Sequence, residues 1–384
     1  MKVLKRGFLI VLSIFLLSGC WNRIEINDIA IVTAVGLDLF EDNQLRLSLQ
    51  VAVPSQLGPA TGTTKGGKST FIISEMGGTI SEAYRQLQEK LSRKIFFSHS
   101  RVLIIGEDLA KNGVTHMLDF YARYQEPRMH SSIIVTKGRA VDILKQEPTL
   151  ENVSAEVANE IIKRKVGLRI SIRDFLDMLL TEGVEPVAPQ FVLVPLEVKS
   201  DSQSKEKQAI NGAGVFKGDK LVGWMDDSET RGILWLRNEM EEGVITVNIG
   251  EERGGGKIST NIIRTESDIV PELKDGKVTI TINTRAEMNV LENASEVNLG
   301  DPENIDKLEK EIEKEIKDRM RMTLDKAQGE LGSDIFGFGE ALYKKYPKEW
   351  NNTYKEKWDD EFSEVEVIVK PKVFVRRVGL IRHS

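Results

Sequence analysis

The sequence predicts an α+β fold in more than one domain, with mixed sheets and helices packed on them. Leu45–Val53 and Lys277–Glu287 alternate apolar and polar residues with period two, as half-buried strands do. Thr79–Leu91 and Asn304–Ala327 repeat apolar residues every three or four positions, as amphipathic helices do. A polar run at 200–207, without any apolar residue, separates two differently patterned regions and predicts a domain boundary.

The N-terminal region is predicted to begin with strands and then to alternate strands and helices. Ile29–Leu39 and Leu45–Val53 are rich in strand-forming residues, and Glu41–Asn43 between them predicts a hairpin turn. Further strands are predicted at Thr70–Ser74, Arg101–Ile105 and Ser132–Thr136, and an extended segment at Ala188–Val198. Helices are predicted at Thr79–Leu91, Leu109–Tyr124, Ala140–Leu144, Glu151–Lys165 and Ile172–Leu180. This order favours a mixed sheet with helices on one or both faces.

The C-terminal region is predicted to be β-rich, with one long helix. Asp301 suits the cap of Asn304–Ala327, and Pro302 suits its first helical position. We interpret its apolar stripe as facing the core, and the stripe comprises Ile305, Leu308, Ile312, Ile316, Met320 and Leu324. A short helix is predicted at Glu340–Tyr346, before Pro347. Strands are predicted at Ala213–Phe216, Leu221–Trp224, Gly243–Ile249, Lys257–Thr265, Lys277–Glu287, Ser363–Val369 and Lys372–Val378.

The first residues predict a secretory signal. Lys2, Lys5 and Arg6 precede the apolar run Gly7–Leu17, which is too short to cross a bilayer. The following Leu-Ser-Gly-Cys at 17–20 resembles the bacterial lipobox, in which the cysteine is acylated and becomes the mature N-terminus. This resemblance implies cleavage between Gly19 and Cys20, with Cys20 as an N-palmitoyl, S-diacylglycerol cysteine. Cys20 is the only cysteine, so no disulfide can form within the chain.

These boundaries divide the chain into four predicted parts. Residues 1–19 are the signal peptide, and 20–199 form an N-terminal α+β region whose helical part, at about 145–185, allows a second subdomain. Residues 200–208 are the linker, and 209–384 form a C-terminal α+β domain. The formal net charge is −6, and about −9 once the three basic residues of the signal are removed. An acidic chain argues against binding to nucleic acid and to anionic lipid, so membrane attachment is expected to come from the lipid.

One segment matches a phosphate-binding motif without its context. Gly62–Ser69 fits G-x-x-x-x-G-K-[ST], a loop that needs a strand directly before it and a helix directly after it. Here the preceding strand is predicted to end at Val53, and Thr70–Ser74 is predicted as a strand. We therefore interpret the segment as a flexible loop and expect no ATP site.

The sequence contains no arrangement of residues that is typical of a catalytic site or a metal site. The four histidines, His99, His116, His130 and His383, have no metal-ligand spacing, and no second cysteine assists them. Asp226–Asp227 and Asp359–Asp360 lie in charged surroundings that favour solvated turns over a catalytic dyad. We expect no cofactor, no metal and no enzymatic activity, and a role in binding or assembly.

Seven segments along essentially the whole chain carry a further signal, and they are Gly19–Arg23, Ile31–Asp38, His99–Asp108, Gly214–Trp224, Thr230–Trp235, Asp334–Glu340 and Tyr346–Pro347. Taken in this order, they resemble the Ger(x)C family of lipoprotein C subunits of spore nutrient germinant receptors. Asn22 is a departure, because the family commonly has an acidic residue there. We interpret the family glycines Gly337 and Gly339 as permitting a turn that side chains would block. Trp224 and Trp235 are expected in the core or at an interface, and we favour the core.

The resemblance implies a role at a membrane. Family members act with a membrane A subunit and a transporter-like B subunit, respond to small nutrients, and are lipid-anchored at the outer surface of the spore inner membrane. The alternative is a solute-binding lipoprotein that captures a nutrient directly. Such a protein would usually have two similar α/β lobes around a cleft, and the different patterning after Ser200 favours the receptor subunit.

Overall fold

The structure is a computed structural model that describes residues 25, 28–53, 69–124, 126–146, 160, 167–195, 206–253 and 255–379. The signal peptide, the lipobox, residues 54–68, which include all of the predicted loop except Ser69, and residues 196–205 lie outside the described residues. So does the predicted helix Glu151–Lys165, apart from Glu160. No helix within the described ranges is long and apolar enough to cross a membrane.

Nine strands form the first sheet. Eight of them follow the order β3-β2-β1-β5-β6-β7-β8-β9, and β4 pairs with the start of β1. The predicted hairpin is confirmed, since β1 and β2 pair antiparallel with Val35 opposite Leu49. The centre of the sheet, from β1 through β5 and β6 to β7, is parallel. The strands are β1 Ile29–Leu39, β2 Leu45–Ala52, β3 Thr70–Gly77, β4 Lys94–Phe96, β5 Val102–Gly106, β6 Ser132–Thr136, β7 Val187–Pro195, β8 Glu206–Lys217 and β9 Lys220–Met225.

Five helices accompany this sheet. They are α1 Ile80–Lys90, α2 Glu107–Asn112, α3 Thr115–Arg123, α4 Ala140–Leu144 and α5 Ile172–Leu180. The single helix predicted over Leu109–Tyr124 is wrong, because Gly113 has a φ of 129° and separates α2 from α3. Helix α4 packs Ile143 and Leu144 against Ala34 and Ile104, so helices cover parts of both faces of the sheet.

The sheet continues on the far side of the predicted linker. Strand β8 pairs antiparallel with β7, and β9 pairs antiparallel with β8. Both strands therefore belong to the nine-stranded sheet, although they follow residues 200–205 in the chain. The division of the chain at 200–208 stays a prediction. We refer below to residues 25–225 as the N-terminal half and to residues 226–379 as the C-terminal half.

The C-terminal half contains a four-stranded sheet in the order β10-β11-β12-β13. The strands are β10 Val244–Asn248, β11 Gly256–Lys274, β12 Lys277–Ser295 and β13 Glu366–Arg377. The two predicted closing strands are one strand, and Ser363 instead lies in a helix. The helices are α6 Asp227–Leu236, α7 Pro302–Asp325, α8 Phe338–Lys345, α9 Pro347–Glu349 and α10 Trp358–Glu364, with π-helical turns at Lys326–Leu331 and Trp350–Tyr354.

Helix α7 confirms the predicted amphipathic helix and its caps. Asp301 accepts a hydrogen bond from the Glu303 N–H, and Pro302 occupies the first turn. Leu308, Ile312, Ile316, Met320 and Leu324 are buried, as the stripe predicts. The helix also covers the edge of β13, because the Val373 and Val375 N–H groups donate to Glu313 at 3.1 Å and to Glu309 at 2.8 Å.

Helices α6 and α7 cross closely at a glycine. A Cβ on Gly232 would lie 1.9 Å from Oγ1 of Thr323, so only glycine fits there without movement. The Thr323 hydroxyl donates to the Glu229 carbonyl oxygen at 2.9 Å, which ties the two helices together. One continuous cluster of buried apolar residues extends from β1 to β13 and joins the two halves.

Candidate functional site: the joint between the two halves

The predicted lipidation site lies outside the described residues, since Gly19 and Cys20 precede Glu25, the first residue that the structure describes. Of the phosphate-loop motif only Ser69 is described, and strand β3 follows it directly. A helix would have to begin there for its N-terminal N–H groups to meet phosphates. The expectation that this segment is no phosphate loop is therefore supported by the element that follows it.

The remaining residues singled out from the sequence occupy ordinary structural positions. His99, His116 and His130 are exposed, and His383 is outside the described residues. Asp226 caps α6 in a reciprocal capping box with Glu229. Asp359 and Asp360 are exposed in the first turn of α10. Within the described ranges, no group of three or more acidic, histidine or cysteine side chains is arranged to hold a metal ion.

The two tryptophans predicted to be core residues differ. Trp235 is 1% exposed and lies in the shared core, as predicted. Trp224 is only partly buried, and the Lys137 ammonium lies 5.5 Å from the centroid of its ring. Trp224 therefore packs at the margin of the core, where its indole contacts a cation.

Asp38, the last residue of the family segment Ile31–Asp38, is a buried cap. Its carboxylate accepts the N–H groups of Ala140 at 2.6 Å and Val141 at 3.1 Å, at the start of α4. Burial raises the pKa of Asp38, and the two N–H donors oppose that rise. The carboxylate thus fixes a helix that follows it in the chain by about a hundred residues.

A second buried carboxylate organises the family segment Asp334–Glu340. Asp334 is 3% exposed and accepts five hydrogen bonds. Four come from the backbone N–H groups of Phe336, Gly337, Phe338 and Gly339, at 2.8–3.3 Å. The fifth comes from the indole N–H of Trp358 at 2.9 Å. The loop therefore wraps around one side chain and packs against α10.

The glycines of this loop are confirmed as turn-permitting positions. Gly337 has a φ of 78°, in the left-handed region that glycine adopts at little cost. A Cβ on Gly339 would lie 2.5 Å from Nε1 of Trp358 and 2.7 Å from Cα of Gly183. Gly339 and Gly183 thus bring together two backbone segments that are remote in the sequence.

This contact joins the two halves, and we define the joint as residues 182–186 together with residues 332–340. The Glu340 N–H donates to the Gly183 carbonyl oxygen at 2.9 Å. The Glu185 N–H donates to the Asp334 carbonyl oxygen at 2.8 Å. These two backbone hydrogen bonds run in opposite directions across the joint, so they fix the register of one segment against the other.

Side chains reinforce the joint at its margins. The Trp350 indole N–H donates to Glu182 at 3.2 Å, and the Lys355 ammonium forms an ion pair with the same carboxylate. From the other side, the Ser333 hydroxyl donates to the Phe216 carbonyl oxygen at 2.5 Å. These contacts link the joint to the C-terminal helices and to strand β8.

A cavity of about 170 Å³ lies at the joint, and the residues that line it include Trp350, Trp358, Phe362, Glu185 and Asp334. Burial raises the pKa of Asp334 to about 6, against the effect of the N–H groups that it accepts. Burial also raises the pKa of Glu185, whose carboxylate accepts the Gly218 N–H at 2.6 Å. At the rim, Lys355 lowers the pKa of Glu182.

The joint was only partly foreseeable from the sequence. The two glycines were singled out, but Asp334, Glu182 and Glu185 were not. An aspartate a few residues before a glycine pair is a recognisable signal, because such side chains bind nearby backbone N–H groups. The partner segment at 182–186 carries no comparable signal.

Comparisons with known proteins agree with this architecture. Residues 22–193 match the spore germination protein N-terminal domain, and residues 211–379 match the family described as spore germination B3/GerAC like, C-terminal. The chain is 30% identical to YfkR of Bacillus subtilis (strain 168), a protein provisionally assigned to spore germination, over 99% of this chain and 98% of that one. It is 29% identical to spore germination protein KC of the same organism, over 97% of this chain and 95% of that one.

A solved structure shares the fold. The crystal structure of the GerBC protein superposes with a TM-score of 0.57 at 20% sequence identity, covering 89% of this chain and 96% of that one. The mixed α+β architecture predicted from the sequence is confirmed by this likeness and by the two sheets described above. With relatives matched along nearly their whole length, the chain belongs to the spore germination GerAC-like family, as its resemblance to the Ger(x)C proteins indicated.

Proposed function

We propose that this chain is a non-catalytic, lipid-anchored subunit of a spore nutrient germinant receptor. The observation that carries the proposal is the match to spore germination proteins along essentially the whole chain.

The membrane attachment is proposed to be a lipid on Cys20 at the outer surface of the spore inner membrane. The supporting observations are the basic start, the short apolar run and the Leu-Ser-Gly-Cys sequence at 17–20. Stable anchoring by acyl chains needs more than one chain, and a diacylglyceryl group with an added palmitoyl group meets that need.

The partners are proposed to be the membrane A and B subunits of the same receptor. The support for these partners is the resemblance of this chain to C subunits of germinant receptors, which act with such A and B subunits. The alternative, a solute-binding lipoprotein, would be expected to have two similar lobes. The nine-stranded and four-stranded sheets differ in strand number and order, which favours the receptor subunit.

The proposal can be tested in spores that lack the other receptors of this class. We expect deletion of the gene to abolish germination by a particular nutrient and to leave germination by non-nutrient triggers intact. A matched strain carrying Cys20→Ala should show the protein released from the membrane fraction, and the wild-type gene should restore both properties. Normal germination of the deletion strain with every nutrient, or membrane retention of the Cys20→Ala protein, would contradict the proposal.

A calorimetric titration of nutrients against the full-length chain in detergent separates the two functional classes. A receptor subunit that acts through its partners should release no binding heat by itself. Saturable binding of a nutrient to the isolated chain would instead support direct capture.

A further inference from the structure

Strand β3 ends one side of the nine-stranded sheet. Among the described strands it pairs only with β2, and the register runs without a bulge from Thr70 to Gly77. The Val53 N–H donates to the Ser69 carbonyl oxygen, so these two residues form a hydrogen-bonded pair of the same ladder. Because such pairs alternate with non-hydrogen-bonded ones, every second residue of β3 directs its N–H and C=O groups away from β2. These outward-facing residues are Thr70, Ile72, Ser74 and Met76.

This edge lacks the features with which long edge strands avoid pairing. Strand β3 contains no proline and no lysine, and its single charged side chain, Glu75, forms an ion pair with Lys90 of α1. Phe71 and Met76, on opposite faces of the strand, are 43% and 37% exposed. No other described element hydrogen-bonds the outward-facing backbone groups, whereas acidic side chains of α7 accept the outward N–H groups of β13. The edge of β3 is therefore open to another strand.

We propose that this edge pairs antiparallel with the same edge of a second copy of the chain, about a two-fold axis at Ile73. In this register Thr70 pairs with Met76 of the second copy. Likewise, Ile72 pairs with Ser74 of the second copy. By symmetry each pair occurs twice, so every outward-facing N–H and C=O group of β3 gains a partner. Any other antiparallel register of the two strands leaves at least one of these four residues without a partner.

The side chains of β3 are compatible with this self-pairing. On the face that carries α1, Ile73 lies opposite Ile73 of the second copy, and Phe71 lies opposite Glu75. No two like charges of the strands therefore meet, and like charges at opposite positions would destabilise the pair. On the other face, Met76 lies opposite Thr70. Both exposed apolar side chains are thus covered by the second copy, and this self-complementarity is why we assign the edge to a second copy.

The symmetry of the pairing suits two chains anchored in one membrane. Its two-fold axis is perpendicular to the sheet, so equivalent residues of the two copies lie at the same height along that axis. A single strand pair is a small contact beside stable soluble interfaces, which bury about 1,200–2,000 Å². We therefore expect pairing where anchored chains are concentrated in a membrane, and a monomer in dilute detergent. In this respect the inference rests on the proposed lipid anchor.

Disulfide cross-linking tests the register in membranes from cells that produce the full-length chain. Ile73→Cys places each thiol opposite its symmetry mate, whereas Phe71→Cys, on the same face of β3, places the two thiols about 14 Å apart. With copper phenanthroline as the oxidant, we expect at least about tenfold more covalent dimer from Ile73→Cys than from Phe71→Cys. The wild-type chain, whose only cysteine is Cys20, gives the background.

Further variants separate pairing from damage to the strand. Phe71→Cys combined with Glu75→Cys places thiols opposite each other in the dimer but about 13 Å apart within one strand, so the covalent dimer should return. In the Ile73→Cys chain, Met76→Pro removes an N–H that faces away from β2, and dimer formation should fall to background. Met76→Ala keeps that N–H and should retain the dimer. Circular dichroism of each purified variant checks that the fold is kept.

Two results would overturn the proposal. The first is a dimer yield from Ile73→Cys and from the double-cysteine variant that is no higher than from Phe71→Cys alone, which would leave the edge to a strand of another protein. The second is an equal yield from Ile73→Cys with and without Met76→Pro, which would indicate chance collisions. A chain missing from the membrane fraction would instead contradict the lipid anchor, and the same cross-links in concentrated solution would then decide the pairing.

Discussion

At the scale of single residues, this chain uses buried carboxylates to hold backbone. Asp38 caps α4, and Asp334 collects the N–H groups of its own loop together with an indole N–H. A buried donor left without an acceptor costs about 1–3 kcal/mol, so each carboxylate stabilises a segment that would otherwise carry unpaired N–H groups. The family segments Ile31–Asp38 and Asp334–Glu340 therefore have a structural explanation, through a distant helix in the first case and through their own loop in the second.

Replacing Asp38 by asparagine should destabilise the chain by about 2 kcal/mol. The amide NH₂ group would face a backbone N–H of Ala140 or Val141, and one buried donor would lose its acceptor. Urea unfolding monitored by circular dichroism gives the free energy. The matched control is Asp226→Asn, since Asp226 caps α6 at an exposed position where asparagine serves equally well. Equal effects of the two substitutions would refute this account of Asp38.

The close approach at the joint makes Gly183 irreplaceable. A Cβ there would lie 2.4 Å from the Gly339 carbonyl carbon, and its φ of 76° already disfavours side chains. We expect Gly183→Ala to cost at least about 3 kcal/mol of unfolding free energy, because strain and a backbone clash add. Gly276→Ala has a similar φ of 74° in open space, so it should cost only about 1 kcal/mol. Similar losses for both variants would show that the contact contributes nothing.

At the scale of elements, the sheet edges differ in how they are covered. The edge of β13 is blocked because α7 offers Glu309 and Glu313 as acceptors for its outward N–H groups. The far half of β11 is covered as well, since the Ser267 N–H donates to Asn238 and Lys345 donates to the Pro271 carbonyl oxygen. Such coverage protects long strands against pairing with another chain.

The double substitution Glu309→Ala and Glu313→Ala should therefore expose the edge of β13. We expect concentration-dependent association of the variant, measured by light scattering, with secondary structure unchanged by circular dichroism. The control is Glu303→Ala with Glu315→Ala, which removes the same charge from α7 but only breaks pairs with Lys307 and Arg319. A monomeric Glu309/Glu313 variant would argue against edge protection by these side chains.

Elements with strong periodicity were predictable, and elements shaped by distant contacts were not. The apolar stripe of α7 predicted that helix from the sequence. Helix α6 was not predicted, because it contains Gly232 and glycine has a low intrinsic helix propensity. Strand β11 was predicted to end at Thr265 but continues to Lys274. Pro271 is tolerated in it because β10 pairs only with residues 257–261, which leaves that side of β11 free of a neighbouring strand.

At the scale of the whole molecule, one core and one joint make the two halves interdependent. The buried apolar cluster runs from β1 to β13, and the joint adds backbone hydrogen bonds in both directions. The general class, mixed sheets with helices packed on them, was predictable from periodicity alone. The joint was not, because it depends on a contact between Gly183 and Gly339, which no local pattern encodes.

We expect the chain to unfold in a single cooperative step, because one continuous apolar core joins the two halves. Far-ultraviolet circular dichroism reports both sheets, and tryptophan fluorescence reports Trp350 and Trp358 at the joint among the other indoles. Their urea transitions should coincide. Two separated transitions would mean that the halves unfold independently despite the shared core.

The pairing of β8 with β7 has a consequence for exchanging parts between related proteins. The two family matches meet between residues 193 and 211, so the natural place to recombine two relatives lies there. A junction at that point would pair β8 of one parent with β7 of the other over eight residue pairs. Strand β9 would come from the same parent as β8, with which it pairs. Chimeras that carry residues 187–225 from one parent keep this ladder intact, so a property that differs between two relatives can be mapped only in blocks that respect it.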